Sequence, residues 1–191
     1  MEKIEHELRD DWEYLMNDLI KSYLDFSITD EIDFYEDTQS NFTLDNKDIN
    51  VFIVVDVNKS YELKFFNEFL DIVYGILKSC KTFNNMVGNL IVSENGSLDI
   101  YDLFSYPTLE NLNNEFPLEF KDILSWIDAH YVYINLIVYY TGKKIDLKGM
   151  KYRFPIVWAL TDDVKMSYGR SVIIFNSKEY DSENIRNHMQ Q

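Results

Sequence analysis

The chain has 191 residues, of which 46% are hydrophobic and 16% aromatic, and its formal net charge is −15. So apolar a composition excludes a disordered polymer, which leaves the charge on the surface of a packed body. A field of that sign excludes direct binding of nucleic acid or an anionic bilayer by the molecule as a whole.

A single cysteine, Cys80, rules out an internal disulfide. The opening MEKIEHELRDDWEYL lacks the basic-then-apolar layout of a secretory signal. The longest apolar stretch, Tyr131 to Tyr140, is about half a membrane span. The expectation is a soluble, cytoplasmic protein.

Ile4, Leu8, Trp12, Leu15, Met16, Leu19, Ile20 and Tyr23 recur at three- and four-residue steps, which predicts an amphipathic first helix. From Ile32 the period moves towards two, and Ile32, Phe34, Phe42 and Leu44 suggest an extended or bent strand. INVFIVVDV, Ile49 to Val57, is almost continuously apolar and β-branched, as in a central strand covered on both sides. Ser60 is placed to cap a second helix, whose stripe runs Leu63, Phe66, Phe69, Leu70, Val73, Ile76, Leu77 and Cys80. Cys80 continues that apolar face and reads as a small core residue rather than a reactive thiol.

In NLIVSENGSLDIYDLF, Asn95-Gly96 signals a tight hairpin that would pair Ile91 with Ile100 and Ser93 with Leu98. Thr108 is a candidate cap for a short helical piece after Pro107. Pro117 opens a longer helical pattern through Phe120, Ile123, Leu124, Ile127, Tyr131, Ile134, Ile137 and Val138, closed by Gly142, although its β-branched second half also fits a strand. RFPIVWAL and RSVIIF read as strands joined by TDDVKMSYG, and the tail from Asp181 as a frayed helix. Strands that come mostly in adjacent pairs predict a single α+β domain over residues 1–191, with a mostly antiparallel sheet and helices packed on it. Residues 1–105 would supply helix, strands, helix and hairpin, and residues 106–191 a helix and a strand pair in the same core.

The charge is unevenly distributed. Residues 1–60 hold 16 acids against 5 bases, whereas residues 141–170 reverse the sign with 7 bases against 3 acids. An acidic face and a small basic patch would orient a partner or a second copy. The densest acidic stretch contains Asp25, Asp30, Glu31, Asp33, Glu36, Asp37, Asp45, Asp48 and Asp56 against Lys47 alone, with Phe34, Tyr35 and Phe42 interleaved. One reading is a solvated edge whose charge prevents strand-to-strand aggregation. The other is a docking face, in which aromatics give buried area and carboxylates speed encounter with a basic partner. On that reading the partner-binding residues are Asp30, Glu31, Asp33, Tyr35, Glu36, Asp37, Asp45 and Asp48.

Catalytic chemistry is hard to find. His6, His130 and His188 are the only histidines, no His-x-x-x-His or Cys-x-x-Cys spacing occurs, and no glycine-rich phosphate loop is present. His130 reads as a hydrogen-bonded structural histidine near the third apolar stripe. Glu62-Leu63-Lys64 and Asp146-Leu147-Lys148 match the acid-x-Lys element of metal-dependent nucleases, a triplet common by chance. The expectation is a non-enzymatic protein with no catalytic residue, no metal and no cofactor.

A helix, paired strands, a helix ending in a lone Cys, and then NLIVSENGSLDIYDLF resembles the layout of YezG-like bacterial immunity proteins over roughly residues 1–105. From Pro117 on the chain departs from that layout. The resemblance implies an acidic cytoplasmic inhibitor of a nuclease toxin and assigns no binding residues. The expected function is therefore an immunity or antitoxin protein that binds a basic toxin domain through its acidic surface. The alternatives are a phage-encoded, DNA-mimicking inhibitor of a host defence enzyme, and a structural subunit or homo-oligomer.

Overall fold

The computed structural model describes residues 2–24, 48–56, 60–80, 82–94, 96–105, 118–143, 145, 153–162, 164, 166 and 168–174. Among these residues three α-helices and six strands follow one another as α1 (Glu2–Leu24), β1 (Ile49–Asp56), α2 (Ser60–Ser79), β2 (Met86–Glu94), β3 (Ser97–Asp102), α3 (Phe120–His130), β4 (Leu136–Thr141), β5 (Ile156–Leu160) and β6 (Arg170–Ile173). The strands form one sheet in the order β3-β2-β1-β4-β5-β6. The expected strands at Ile32–Leu44, the cap at Thr108 and the tail helix fall outside the described residues.

The α+β expectation holds, but the sheet is mostly parallel rather than mostly antiparallel. Only β2 and β3 run antiparallel; β1 pairs in parallel with both β2 and β4, and β5 and β6 continue in the same sense. Adjacency in sequence suggested antiparallel pairs. Parallel neighbours instead need the chain to recross the sheet, and α2 does so between β1 and β2.

The continuous hydrophobicity of β1 follows from cover on both faces. Val51, Ile53 and Val55 point into a cluster with Met16 and Ile20 of α1 and with Phe66, Phe69, Val73 and Leu77 of α2. Phe52 and Val54 point the other way, against Phe120, Ile123, Leu124 and Ile127 of α3. β4 alternates likewise, with Tyr140 meeting the Phe66 ring edge-on at 5.0 Å and Tyr139 lying 5.1 Å from Trp158 on the opposite face. Each such fully buried side chain contributes about 1.5–3 kcal/mol. Cys80 is buried in the α1–α2 cluster, its thiol directed at the Ile76 carbonyl. Leu15, expected on the apolar stripe of α1, stands exposed instead.

The hairpin has the expected register, Ile91 opposite Ile100 and Ser93 opposite Leu98, with Gly96 at φ 79° in its turn. The helix expected to run from Pro117 to Gly142 is corrected. It ends at His130, and the chain re-enters the sheet as β4. Asn135 makes that change of state specific. Its side-chain Oδ1 accepts the Asn50 N–H at 2.9 Å, and its own N–H donates to the Asn50 carbonyl at 3.0 Å. This reciprocal pair fixes β4 against β1 one residue before the Val51–Leu136 register begins.

Gly169 lies just before β6 at φ +78°, and a Cβ there would come within 2.5 Å of the Ile156 carbonyl oxygen. Gly169→Ala should therefore lower stability by about 2 kcal/mol or more, read as a shift of the urea midpoint at unchanged slope. Asn135→Ala should cost about 1–2 kcal/mol by leaving the Asn50 N–H without its side-chain acceptor. A loss below about 0.3 kcal/mol would show that this pair does not hold the strands together.

Candidate functional site

In a doubly wound sheet, ligands gather outside the carboxyl ends of the strands where the strand order reverses. Here the chain winds from β1 towards β2 in one direction and from β4 towards β6 in the other, so the reversal lies between β1 and β4. The final residues of those two strands, Asp56 and Thr141, are opposite one another.

Asp56 is 1% exposed, although the sequence groups it with the outward-facing acids. It is paired with a cation from the basic segment. Lys143 Nζ donates to Asp56 Oδ1, and the Tyr139 hydroxyl stands 3.4 Å from Oδ2. The lysine is held in place because its own N–H donates to Thr141 Oγ1 at 3.0 Å. Thr141 is buried, as is Thr161 beyond β5, whose N–H donates to the Thr141 carbonyl. On the other flank, Ser93 Oγ accepts the Leu118 N–H at 3.1 Å and ties the end of β2 to the start of α3.

Burial raises the Asp56 carboxyl above its ordinary range, against the lowering effect of the Lys143 hydrogen bond and charge and of Tyr139; Glu119 adds a small push upward. Chemically, the site is a desolvated carboxylate that takes its counter-charge from the chain itself. Among the described residues no group of three or more His, Cys, Asp or Glu side chains is placed to hold a metal ion.

Of the residues expected to bind a partner, Asp30, Glu31, Asp33, Tyr35, Glu36, Asp37 and Asp45 lie outside the described residues. Asp48 is exposed, immediately before β1. Asp18, Asp71, Asp99, Asp102 and Asp122 are also exposed, and none is ion-paired among the described residues. Asp99 and Asp102 share the edge strand β3 with the exposed Ile100 and Tyr101. His130 is exposed at the end of α3 rather than on the apolar stripe, its Nδ1 2.8 Å from the Trp126 carbonyl and its ring stacked on Trp126 at 4.2 Å. Sequence reasoning missed the Asp56–Lys143 pair, since the two residues stand 87 apart and only the β1–β4 pairing joins them. An acid closing an otherwise apolar strand was the available signal.

Neither a protein-family model nor a curated protein matches the chain.

Lys143→Met should destabilise the fold by about 3–5 kcal/mol, because it leaves a buried carboxylate without its cation. Asp56→Asn should cost less. The pH dependence has a definite sign. A carboxyl raised in the folded state binds protons more readily there than in the unfolded chain, so its contribution falls as pH rises from the model-peptide value of 3.8 through the folded pKa. Denaturation of wild type and Asp56→Asn at stepped pH should show the asparagine variant gaining on wild type across that window. Parallel curves would exclude a raised Asp56.

Proposed function

We propose that this chain is a non-enzymatic binding protein of the immunity or antitoxin type, which engages a basic protein domain through its acidic surface. The carrying observation is the charge excess of residues 1–60, 16 acids against 5 bases, within a net charge of −15. Exposed carboxylates at Asp18, Asp71, Asp99 and Asp122, none ion-paired among the described residues, support it, because they extend the negative field over the body. A nuclease toxin is the partner class that fits best, since a surface evolved to hold phosphates also attracts closely spaced carboxylates. The resemblance to YezG-like proteins supplies the same class, with action in the cytoplasm. Asp56 plays no part in the docking face on this reading; Asp30, Glu31, Asp33, Tyr35, Glu36, Asp37, Asp45 and Asp48 carry it.

Affinity capture from the native cell should recover a basic protein, and titration calorimetry of the pair should show affinity falling as salt rises. Neutralising three positions together, Asp33→Asn, Glu36→Gln and Asp37→Asn, should weaken binding by about tenfold or more, mainly through slower association. A salt-independent complex, or one indifferent to the triple substitution, would refute the proposal.

A further inference from the structure

We propose that β3 is a docking edge for one extended strand of a basic protein, whose basic-apolar-apolar-basic run of side chains lies against Asp102, Tyr101, Ile100 and Asp99. β3 stands last in the strand order and, among the described residues, pairs with β2 alone. A strand in that place turns a row of backbone donors and acceptors outward, a template for adding another strand. Asp99, Ile100, Tyr101 and Asp102 are all exposed, Ile100 at 42% and Tyr101 at 40%.

The template is well anchored. Six register pairs tie β3 to β2, and Leu98 packs against the cluster beneath α3. Asp102 closes the strand: its Oδ1 accepts the Phe104 N–H at 3.0 Å, and its carbonyl accepts the Ser105 hydroxyl at 2.8 Å. Alternation puts Asp99 and Tyr101 on the sheet face of Val92 and Leu90, and Ile100 and Asp102 on the face of Ile91. Each face therefore offers one carboxylate beside one apolar side chain. Neither carboxylate is ion-paired among the described residues.

Charge and register select the occupant. A body of net charge −15 draws a basic strand to this edge and repels an acidic one. Cations across from Asp99 and Asp102, with apolar residues across from Ile100 and Tyr101, give each exposed side chain a favourable cross-strand neighbour. A second copy of β3 fails this requirement. The antiparallel register that sets Ile100 against Tyr101 also sets Asp99 against Asp102, like charge against like. The aspartates thus bar self-pairing and admit a basic strand. The proposal needs neither a toxin nor residues 30–48.

The test uses the full chain and a fluorescein-labelled peptide, Thr-Lys-Val-Tyr-Lys-Thr, at stepped salt. One control replaces both lysines with glutamate. The other carries N-methyl groups on its two central amides, which keeps the charge and removes backbone donors. Anisotropy should saturate for the basic peptide, and affinity should fall by about tenfold or more for either control. Asp99→Asn with Asp102→Asn should weaken binding by about tenfold and flatten its salt dependence, whereas Ile100→Thr should weaken it at unchanged salt slope. These positions are exposed, so the variants keep the fold, which circular dichroism checks. Bound peptide should also slow amide exchange within residues 97–102. Absence of saturable binding, equal binding of the N-methylated peptide, or binding unchanged in the double aspartate variant overturns the proposal. So does binding lost instead in the triple variant Asp33→Asn, Glu36→Gln and Asp37→Asn, which assigns the peptide to that segment. Low-salt self-association abolished by Ile100→Thr also overturns it, by making a second copy the occupant. If the peptide fails while a basic protein still binds through residues 30–48, this proposal falls and the preceding one stands.

Discussion

The structure depends on the contact between β1 and β4, two strands that are dry on both faces. Neither can be stable at a surface, because its alternating side chains all need apolar neighbours. The consequence is a sheet with helices on each side: α1 and α2 over Val51, Ile53 and Val55, and α3 over Phe52 and Val54. The reciprocal hydrogen bonds between Asn50 and Asn135 set the register of this contact. The same register brings Asp56 opposite Thr141 at the far end and puts Lys143 within reach of the carboxylate. A polar pair thus closes each end of an apolar seam, one neutral and one charged.

Much of this architecture was legible in the chain. The stripe of α2 and the run of β1 are strong patterns, because burial on one face or on both leaves different periods in the sequence. The hairpin was legible down to its register, since Asn95-Gly96 fixes the turn and the turn fixes the pairs. Local patterns failed where the deciding partner is remote. Ile134, Ile137 and Val138 keep helical spacing after α3, and only their place beside β1 makes them a strand. The parallel sense of β5 and β6 was hidden for a similar reason, as a strand's own residues do not record the direction of its neighbour. Asp56 looked like one more member of an acidic crowd, and only its burial separates it.

The charge pattern takes on a spatial meaning in the fold. Among the described residues the cations of residues 141–170 stand at two ends of the sheet: Lys143 is absorbed by Asp56, whereas Arg153 and Arg170 line a cleft at the opposite end. Exposed carboxylates are spread over α1, α2, β3 and α3. On the open side of β3, Asp99 and Asp102 charge an edge that would otherwise offer Ile100 and Tyr101 to a neighbouring strand.

The bond from Asn50 to Asn135 spans 85 residues, so the seam at the centre of the sheet is also its most non-local element. As the chain leaves the ribosome, α1, β1, α2 and the β2–β3 hairpin are complete before β4 has been made. That first half covers Val51, Ile53 and Val55 with its own helices, whereas among the described residues the cover over Phe52, Val54 and Ile91 comes mostly from α3 and the later strands. In the folded chain they are buried against α3 and Trp158. The second face of the sheet therefore cannot be completed until α3 and β5 have been synthesised.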